Sequence, residues 1–303
     1  MVGAAPRGRP DAGQARGPAP TLALGGVAHR FKPCRLLRLQ CPMNFMASFE
    51  TRRLPQVVAH RGASGYAPET TLASCRLALE MNADFIEIDI QMSRDGEIVA
   101  IHDALVDRTT NGTGGVGDMT LAQLKALDAG SWFNSTFPKK ARPEYVGEKI
   151  PTLLEIIDLA GGSRTGLYLE IKNPELYPPE LESKLLAMVR RNQFEKRVRI
   201  LSFNARSIKK IRALDPSIPA AFLVTSAQID PIPATLAVYA GELALRYRLL
   251  TPEIVRQAHK QGLSVAVWTV NENKALQRAI TLQADRIITN YPDRLTRLLF
   301  SQV

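Results

Sequence analysis

Short apolar runs alternate with longer amphipathic stretches along most of this 303-residue chain. Strand-like runs fall at 56–60, 85–91, 166–172, 198–203, 219–224, 243–247, 263–270 and 286–290, and helical periodicity fills most of the intervals between them. Eight strands alternating with helices favour a parallel sheet that closes on itself. The pattern therefore predicts an α/β fold, a TIM (β/α)8 barrel. Several helices mark their ends. Thr120 with Gln123 and Thr152 with Glu155 have capping-box spacing, and Thr251-Pro252 opens a helix that Gly262 closes. The stretch 225–242 carries the faintest helical pattern of the set.

Two features interrupt the alternation. After the second strand, Asp95-Gly96 stands between Met92-Ser93-Arg94 and an apolar run at 98–101, which predicts a β-hairpin with an antiparallel extra strand at 98–102. A two-residue turn would pair Arg94 with Glu97 and place His102 opposite Asp89. Residues 103–151 then form a small insertion expected above the barrel mouth. It contains a glycine-rich run at 112–117, one capped helix and the aromatic stretch Trp132-Phe133-Asn134. The glycines lack the spacing of a nucleotide P-loop and read as a flexible loop. The position of the insertion makes it a candidate lid or substrate-selecting cap.

Charge appears where the pattern calls for apolar residues. His60 and Arg61 end the first strand, Glu87 and Asp89 share one face of the second with Gln91 beside them, His102 ends the hairpin, and Glu170 and Lys172 share a face of the next strand. All lie toward the C-terminal halves of their strands, where barrel active sites form. Three carboxylates make an all-oxygen set suited to one hard divalent cation, Mg²⁺ or Ca²⁺, and not to zinc. A cation ringed by Arg61, Lys172 and two imidazoles suits a phosphate ester: Arg61 and Lys172 bind the phosphate, and one histidine takes a proton while the other gives one. The two-residue turn sets His102 beside a carboxylate and makes it the better acid, leaving His60, next to Arg61, as the base. Taken singly, each histidine reads as a satisfied core residue, and Glu87 and Asp89 read as structural ion pairs with Arg61 and Lys172. Their convergence points to chemistry. Of the remaining residues, Phe203 reads as core, Trp268 as either barrel packing or pocket lining, His259 as a solvated helix residue and Lys139-Lys140 as a solvated loop pair.

These residues resemble a known family. His60-Arg61-Gly62-Ala63-Ser64-Gly65 with Ala67-Pro68-Glu69, Glu87-Ile88-Asp89, the run from Ile101-His102-Asp103 to Asp107-Arg108-Thr109-Thr110-Asn111-Gly112, Glu170-Ile171-Lys172 and Trp268-Thr269-Val270-Asn271 are similar to the motifs of the glycerophosphodiester phosphodiesterases, in the same order, from about Pro55 to the C-terminus. The resemblance is to the bacterial cytosolic type. It implies a (β/α)8 barrel that hydrolyses a small-molecule glycerophosphodiester to sn-glycerol 3-phosphate and an alcohol. By motif, Glu87, Asp89 and Glu170 would hold the metal, His60 and His102 would be the acid–base pair, and Arg61, Lys172 and Trp268 would contact substrate. Two positions depart from the family pattern: Thr70 stands where Asn is usual, and Arg286 where a small Gly is usual. Both are expected to bear on substrate preference more than on chemistry. A second enzymatic reading keeps the barrel but has a related lipid phosphodiesterase acting on lysophospholipid or sphingolipid head groups, by cyclisation instead of hydrolysis.

Composition narrows the alternatives. A barrel of about 250 residues accounts for nearly all of the chain beyond its start. Residues 1–46 read as a disordered basic extension and 47–303 as the barrel domain. Up to Met46 there are six Arg and one Lys against Asp11, a net of +6, so only +4 of the total +10 belongs to the barrel. No nucleic-acid partner is expected, because the basic excess lies mainly outside the domain without interleaved aromatics. Thr21 to Ala28 is too short and glycine-interrupted for a secretory signal, and no run approaches a transmembrane segment. Translation starting at Met43 or Met46 fits this picture. Cys34, Cys41 and Cys75 are odd in number and unpatterned, which points to a reducing, cytoplasmic setting with no disulfide framework. Nothing in the pattern speaks to oligomeric state.

Overall fold

The computed structural model describes residues 54–172, 174–177 and 180–301. The predicted extension, with Met43, Met46, Cys34 and Cys41, lies outside the described residues. Eight parallel strands form the barrel: β1 (Gln56–His60), β2 (Phe85–Met92), β4 (Gly166–Ile171), β5 (Val198–Ser202), β6 (Ala220–Val224), β7 (Glu242–Arg246), β8 (Ser264–Trp268) and β9 (Arg286–Thr289), with β3 (Ile98–Ala100) antiparallel on β2. β1 pairs with both β9 and β2, which closes the ring. Both predicted capping boxes are formed, and Thr251 caps the helix Pro252–Lys260, beyond which Gly262 turns at φ +74°. The faint stretch holds a short helix, Pro231–Ala237, opened by Asp230.

Alternation along each strand sorts the side chains. Ile86, Ile88 and Ile90 of β2 and Leu167, Leu169 and Ile171 of β4 face outward into the core shared with the helices. Val58, Tyr168, Leu201, Ala244, Ala266 and Ile288 fill the barrel interior. Each fully buried aliphatic side chain contributes about 1.5–3 kcal/mol of transfer free energy. Cys75 is buried on its helix as a small apolar residue.

The described residues contain no helix long and apolar enough to cross a membrane.

The hairpin differs from its expected register. Ile90 pairs with Ala100 and Met92 with Ile98, so Ile101 lies opposite Asp89 and its amide donates to the Asp89 carbonyl at 3.1 Å. The loop has three residues, because Ser93 accepts the Gly96 amide and Gly96 takes the left-handed conformation at φ +86°. Ser93 Oγ accepts the Glu97 amide and donates to Asp95, which stabilises the longer turn. One extra residue turns His102 away from Asp89.

Residues 103–151 carry a core of their own. Val106, Val116, Leu124, Ala129 and Ile150 pack with Val99 and Ile101 of the hairpin, and the glycine-rich run places Val116 in this cluster. Phe133 and Tyr145 pack on Ala67 in the loop after β1. Lys140 departs from the expected solvated pair: its ammonium donates to the Gly65 carbonyl at 2.6 Å and lies 5.3–5.9 Å from the ring centroids of Tyr66, Phe137 and Tyr291. Lys139 is exposed.

Arg286 lies far from the place its expected role requires. It opens β9 at the N-terminal end of the barrel, where Glu242 accepts hydrogen bonds from Arg286 (2.9 Å), Arg199 (3.3 Å) and Tyr168 (2.8 Å). Glu242 is 1% exposed, so the cluster is a buried charge plug. Removing one partner of such a group is costly because it leaves charge unpaired. Arg286→Gly is expected to lower stability by about 3 kcal/mol, read by denaturant melts, while KM for a glycerophosphodiester stays within twofold of wild type. A severalfold change in KM without loss of stability would return Arg286 to a role in substrate preference.

Candidate active site

The opposite ends of the strands bring the predicted residues together. β2 and β4 pair with Asp89 beside Glu170, and β1 pairs with β2 so that His60 lies beside Glu87. Glu87, Asp89 and Glu170 each offer an oxygen within 4.8 Å of the others, and all three are at most 9% exposed. Burial and mutual repulsion raise the Glu87 carboxyl well above its ordinary range and Glu170 to about 7. Two cations offset the charge. Arg61 Nε lies 3.1 Å from Asp89, and Lys172 Nζ lies 2.9 Å from Glu170 and 3.7 Å from Asp89. Burial works against the Lys172 ammonium, but Glu170 and Asp89 outweigh it and raise its pKa. Among the described residues, Glu87 Oε1 is buried without a hydrogen-bond partner. An anionic oxygen in that position, beside two others, fits a hard divalent cation.

A strained turn presents Arg61. Its backbone is left-handed at φ +54°, and Gly62 follows at φ +76° with Ser74 so close that a Cβ there would lie 2.5 Å from Ser74 Oγ. The turn is held on both sides. The Arg61 amide donates to Glu87 at 2.9 Å, while its carbonyl accepts Ser74 Oγ and the Thr70 amide, each at 3.0 Å. The Arg61 guanidinium also donates to Glu69 at 2.8 Å.

The two histidines sit in different settings. His60 Nδ1 bonds Asn290 Oδ1 at 2.7 Å, and its Nε2 is 3.9 Å from Glu87. Burial, reinforced by Arg61, lowers the His60 pKa to about 4, so the ring is neutral at pH 7. His102 pairs with Asp103 at 2.5 Å, not with Asp89, and its Nε2 is 3.2 Å from Lys172. Gln91, predicted beside the acidic pair, donates to the carbonyls of Ile101, His102 and Asp103 and so fixes the loop that carries His102. Phe203 is no core residue. It is 42% exposed and packs edge-on against Trp268, with ring centroids 5.5 Å apart. Trp268 is half-buried, with its indole N–H on the Ala244 carbonyl, so one side packs in the barrel and the other meets Phe203. Glu170, Lys172, Ser202 and Phe203 border a pocket of about 220 Å³. His259 is exposed on its helix, as expected, and bonds Asp285 at 2.8 Å.

Comparison with known proteins bears on what this arrangement does. The sequence profile of the Glycerophosphoryl diester phosphodiesterase family matches residues 60–294. The chain belongs to this family. It is 42% identical over 246 residues to a glycerophosphodiester phosphodiesterase of Bacillus subtilis, covering 78% of this chain and 83% of the relative. It is 38% identical over 243 residues to one from Caldanaerobacter subterraneus subsp. tengcongensis, covering 80% and 97%. Among solved structures, an Oleispira antarctica phosphodiesterase in complex with the product sn-glycerol-3-phosphate superposes with a TM-score of 0.75 at 31% identity, covering 82% of this chain and 97% of that one.

As a member of the glycerophosphoryl diester phosphodiesterase family, the chain is a phosphoric diester hydrolase. Some residues around its site had no role assigned from sequence. Glu69, Asp103, Arg108 and Asn290 lie within recognisable motifs but on loops, where periodicity says nothing about facing. Thr70, where the family usually has Asn, is buried at φ +55° with its amide on the Arg61 carbonyl, so the departure falls on the strained turn that presents Arg61. A β-branched residue pays more than Asn for that conformation.

The neutral His60 gives stability a pH dependence of known sign. The unfolded chain binds a proton at an ordinary histidine pKa of 6.5 and the folded chain at about 4. The contribution is therefore complete above pH 6.5 and is lost as pH falls toward 4, by on the order of 3 kcal/mol. His60→Gln should lack this component, so denaturant melts between pH 7 and 4 should show a shallower decline than wild type. Parallel declines would contradict the shift.

Proposed function

We propose that this enzyme hydrolyses glycerophosphodiesters to sn-glycerol 3-phosphate and an alcohol, using one divalent cation, Mg²⁺ or Ca²⁺, with His60 as general base and His102 as general acid. The observation that carries the reading is the convergence of Glu87, Asp89 and Glu170, with an orphaned oxygen on Glu87, beside two imidazoles in unlike settings. When bound, the cation would offset the three carboxylates and polarise a phosphoryl oxygen. Arg61 and Lys172 supply positive charge on either side of the acidic set and would bind the phosphate. His60 is neutral with Nδ1 on Asn290, so Nε2 is the site that accepts the proton of the attacking oxygen. Asp103 holds His102 by Nδ1, and Nε2, which faces the Lys172 ammonium at 3.2 Å, is the nitrogen that would carry the proton to the departing alkoxide once Lys172 turns to the phosphate. Asp103 thus supplies the carboxylate that the expected register assigned to Asp89. The small polar pocket suits a glycerol phosphate moiety, and the product named in the Oleispira antarctica complex supports the same choice.

The catalytic unit in this reading is 47–303, with 103–151 as its insertion. Exposed Phe203 over Trp268 favours one further reading, a substrate whose alcohol carries apolar groups, such as a lysophospholipid.

Leaving-group dependence tests the histidine roles. An alkoxide needs a proton on departure and p-nitrophenolate hardly does. His102→Ala should lower kcat about 10²–10⁴-fold with glycerophosphocholine and far less with a p-nitrophenyl glycerol phosphodiester. His60→Ala should impair both substrates alike. Rescue of His60→Ala alone would reverse the roles, and equal loss everywhere would reduce both residues to phosphate positioning.

A further inference from the structure

The loop after β3 places one arginine between the two halves of the site. Arg108 Nε donates to Asp103 Oδ2 at 2.5 Å, and its Nη1 and Nη2 donate to the two oxygens of Glu69 at 3.1 and 2.7 Å. Each carboxylate it holds also holds a site residue. Asp103 Oδ1 is on His102 Nδ1, and Glu69 Oε1 accepts Arg61 Nη1 at 2.8 Å. A continuous chain therefore runs His102–Asp103–Arg108–Glu69–Arg61.

We propose that Arg108 is a positioning residue that couples the proton donor to the phosphate-binding arginine, fixing His102 through Asp103 and Arg61 through Glu69. This rests on the reading of His102 as acid and Arg61 as phosphate ligand. The geometry uses what distinguishes arginine from lysine: a planar fork with donors on two edges spans two carboxylates at once, which a single ammonium cannot do. Neither carboxylate can be set by the barrel alone. Glu69 lies in the loop after β1 and Asp103 in the loop after β3, 34 residues apart in sequence. Arg108 is also partly exposed, with 44% of its side chain open to solvent, so it is not a core residue whose loss would collapse the fold. Its ion pairs are correspondingly worth little for global stability. Their effect is orientation: the direction of His102 Nε2 and the plane of the Arg61 guanidinium depend on where Asp103 and Glu69 stand. Asp103 stays ionised throughout the working range, because Arg108 and His102 outweigh its partial burial and hold its pKa at about 2.

Two arms predict two separable kinetic effects. Arg108→Gln should lower kcat with glycerophosphocholine by up to about 10²-fold through a misdirected His102, with a much smaller loss on the p-nitrophenyl diester, and should raise KM severalfold on both through Arg61. Arg108→Lys should recover only part of either effect. A thermal melt of each variant should stay within a few degrees of wild type, since a purely structural role would move the melt and leave leaving-group dependence untouched. Double variants locate the arms. In an Asp103→Asn background the further kcat loss from Arg108→Gln should fall below twofold, and in a Glu69→Gln background the further KM rise should do the same. Full multiplication of the effects in both backgrounds, or unchanged kcat and KM in Arg108→Gln, would overturn the proposal. The His102→Ala control separates the two readings. If that variant impairs alkyl and p-nitrophenyl substrates equally, the acid role of His102 fails, while loss of the Arg108→Gln effect on Asp103→Asn still supports the coupling.

Discussion

Three carboxylates buried within 4.8 Å of one another set the terms for everything around them. Left alone, such a group would be driven to take up protons, and burial and repulsion do push Glu87 and Glu170 in that direction. Arg61 and Lys172 meet only part of this demand. Their placement explains why strained backbone is retained at Arg61, where a relaxed turn would carry the guanidinium away from Asp89. The same demand makes a divalent cation the natural complement of the site.

The barrel meets this constraint by dividing its interior. Aliphatic side chains fill the middle, a plug around Glu242 closes the N-terminal end, and the acidic set occupies the C-terminal end, with Lys172 just beyond β4 and Arg61 just beyond β1. Rigid strands fix the carboxylates, whose relative positions must hold within fractions of an ångström for a common ligand. Loop residues Arg61, His102 and Lys172, with His60 at the end of β1, are the groups proposed to meet substrate. The insertion is fastened by its own apolar cluster and by Lys140 on the Gly65 carbonyl, so it supports the loop after β1 as well as bordering the site.

Period-two alternation made the carboxylates legible in sequence: Glu87 with Asp89, and Glu170 with Lys172, could share faces only in strands, and the structure brings these residues together. The eight strands and both capping boxes were legible for the same reason, because each depends on residues close in the chain. What sequence did not show was set by tertiary contact. The three-residue turn at Ser93–Glu97 depends on hydrogen bonds from Ser93 that dipeptide signals do not encode, and it changed the partner of His102. Asp103, Arg108 and Glu69 meet only because two loops converge. Glu242, at the end of the faint stretch 225–242, carried no local signal, because Arg199 and Arg286 reach it only when the ring closes.

The most direct test of the account is calorimetric titration of the chelator-treated protein with Mg²⁺ and with Ca²⁺, in parallel with Glu87→Gln. The account predicts one cation per chain, proton release near pH 7 as Glu170, raised to about 7, ionises, and affinity reduced at least tenfold in the variant. Absence of binding, or equal affinity in the variant together with full phosphodiester hydrolysis in excess chelator, would contradict it.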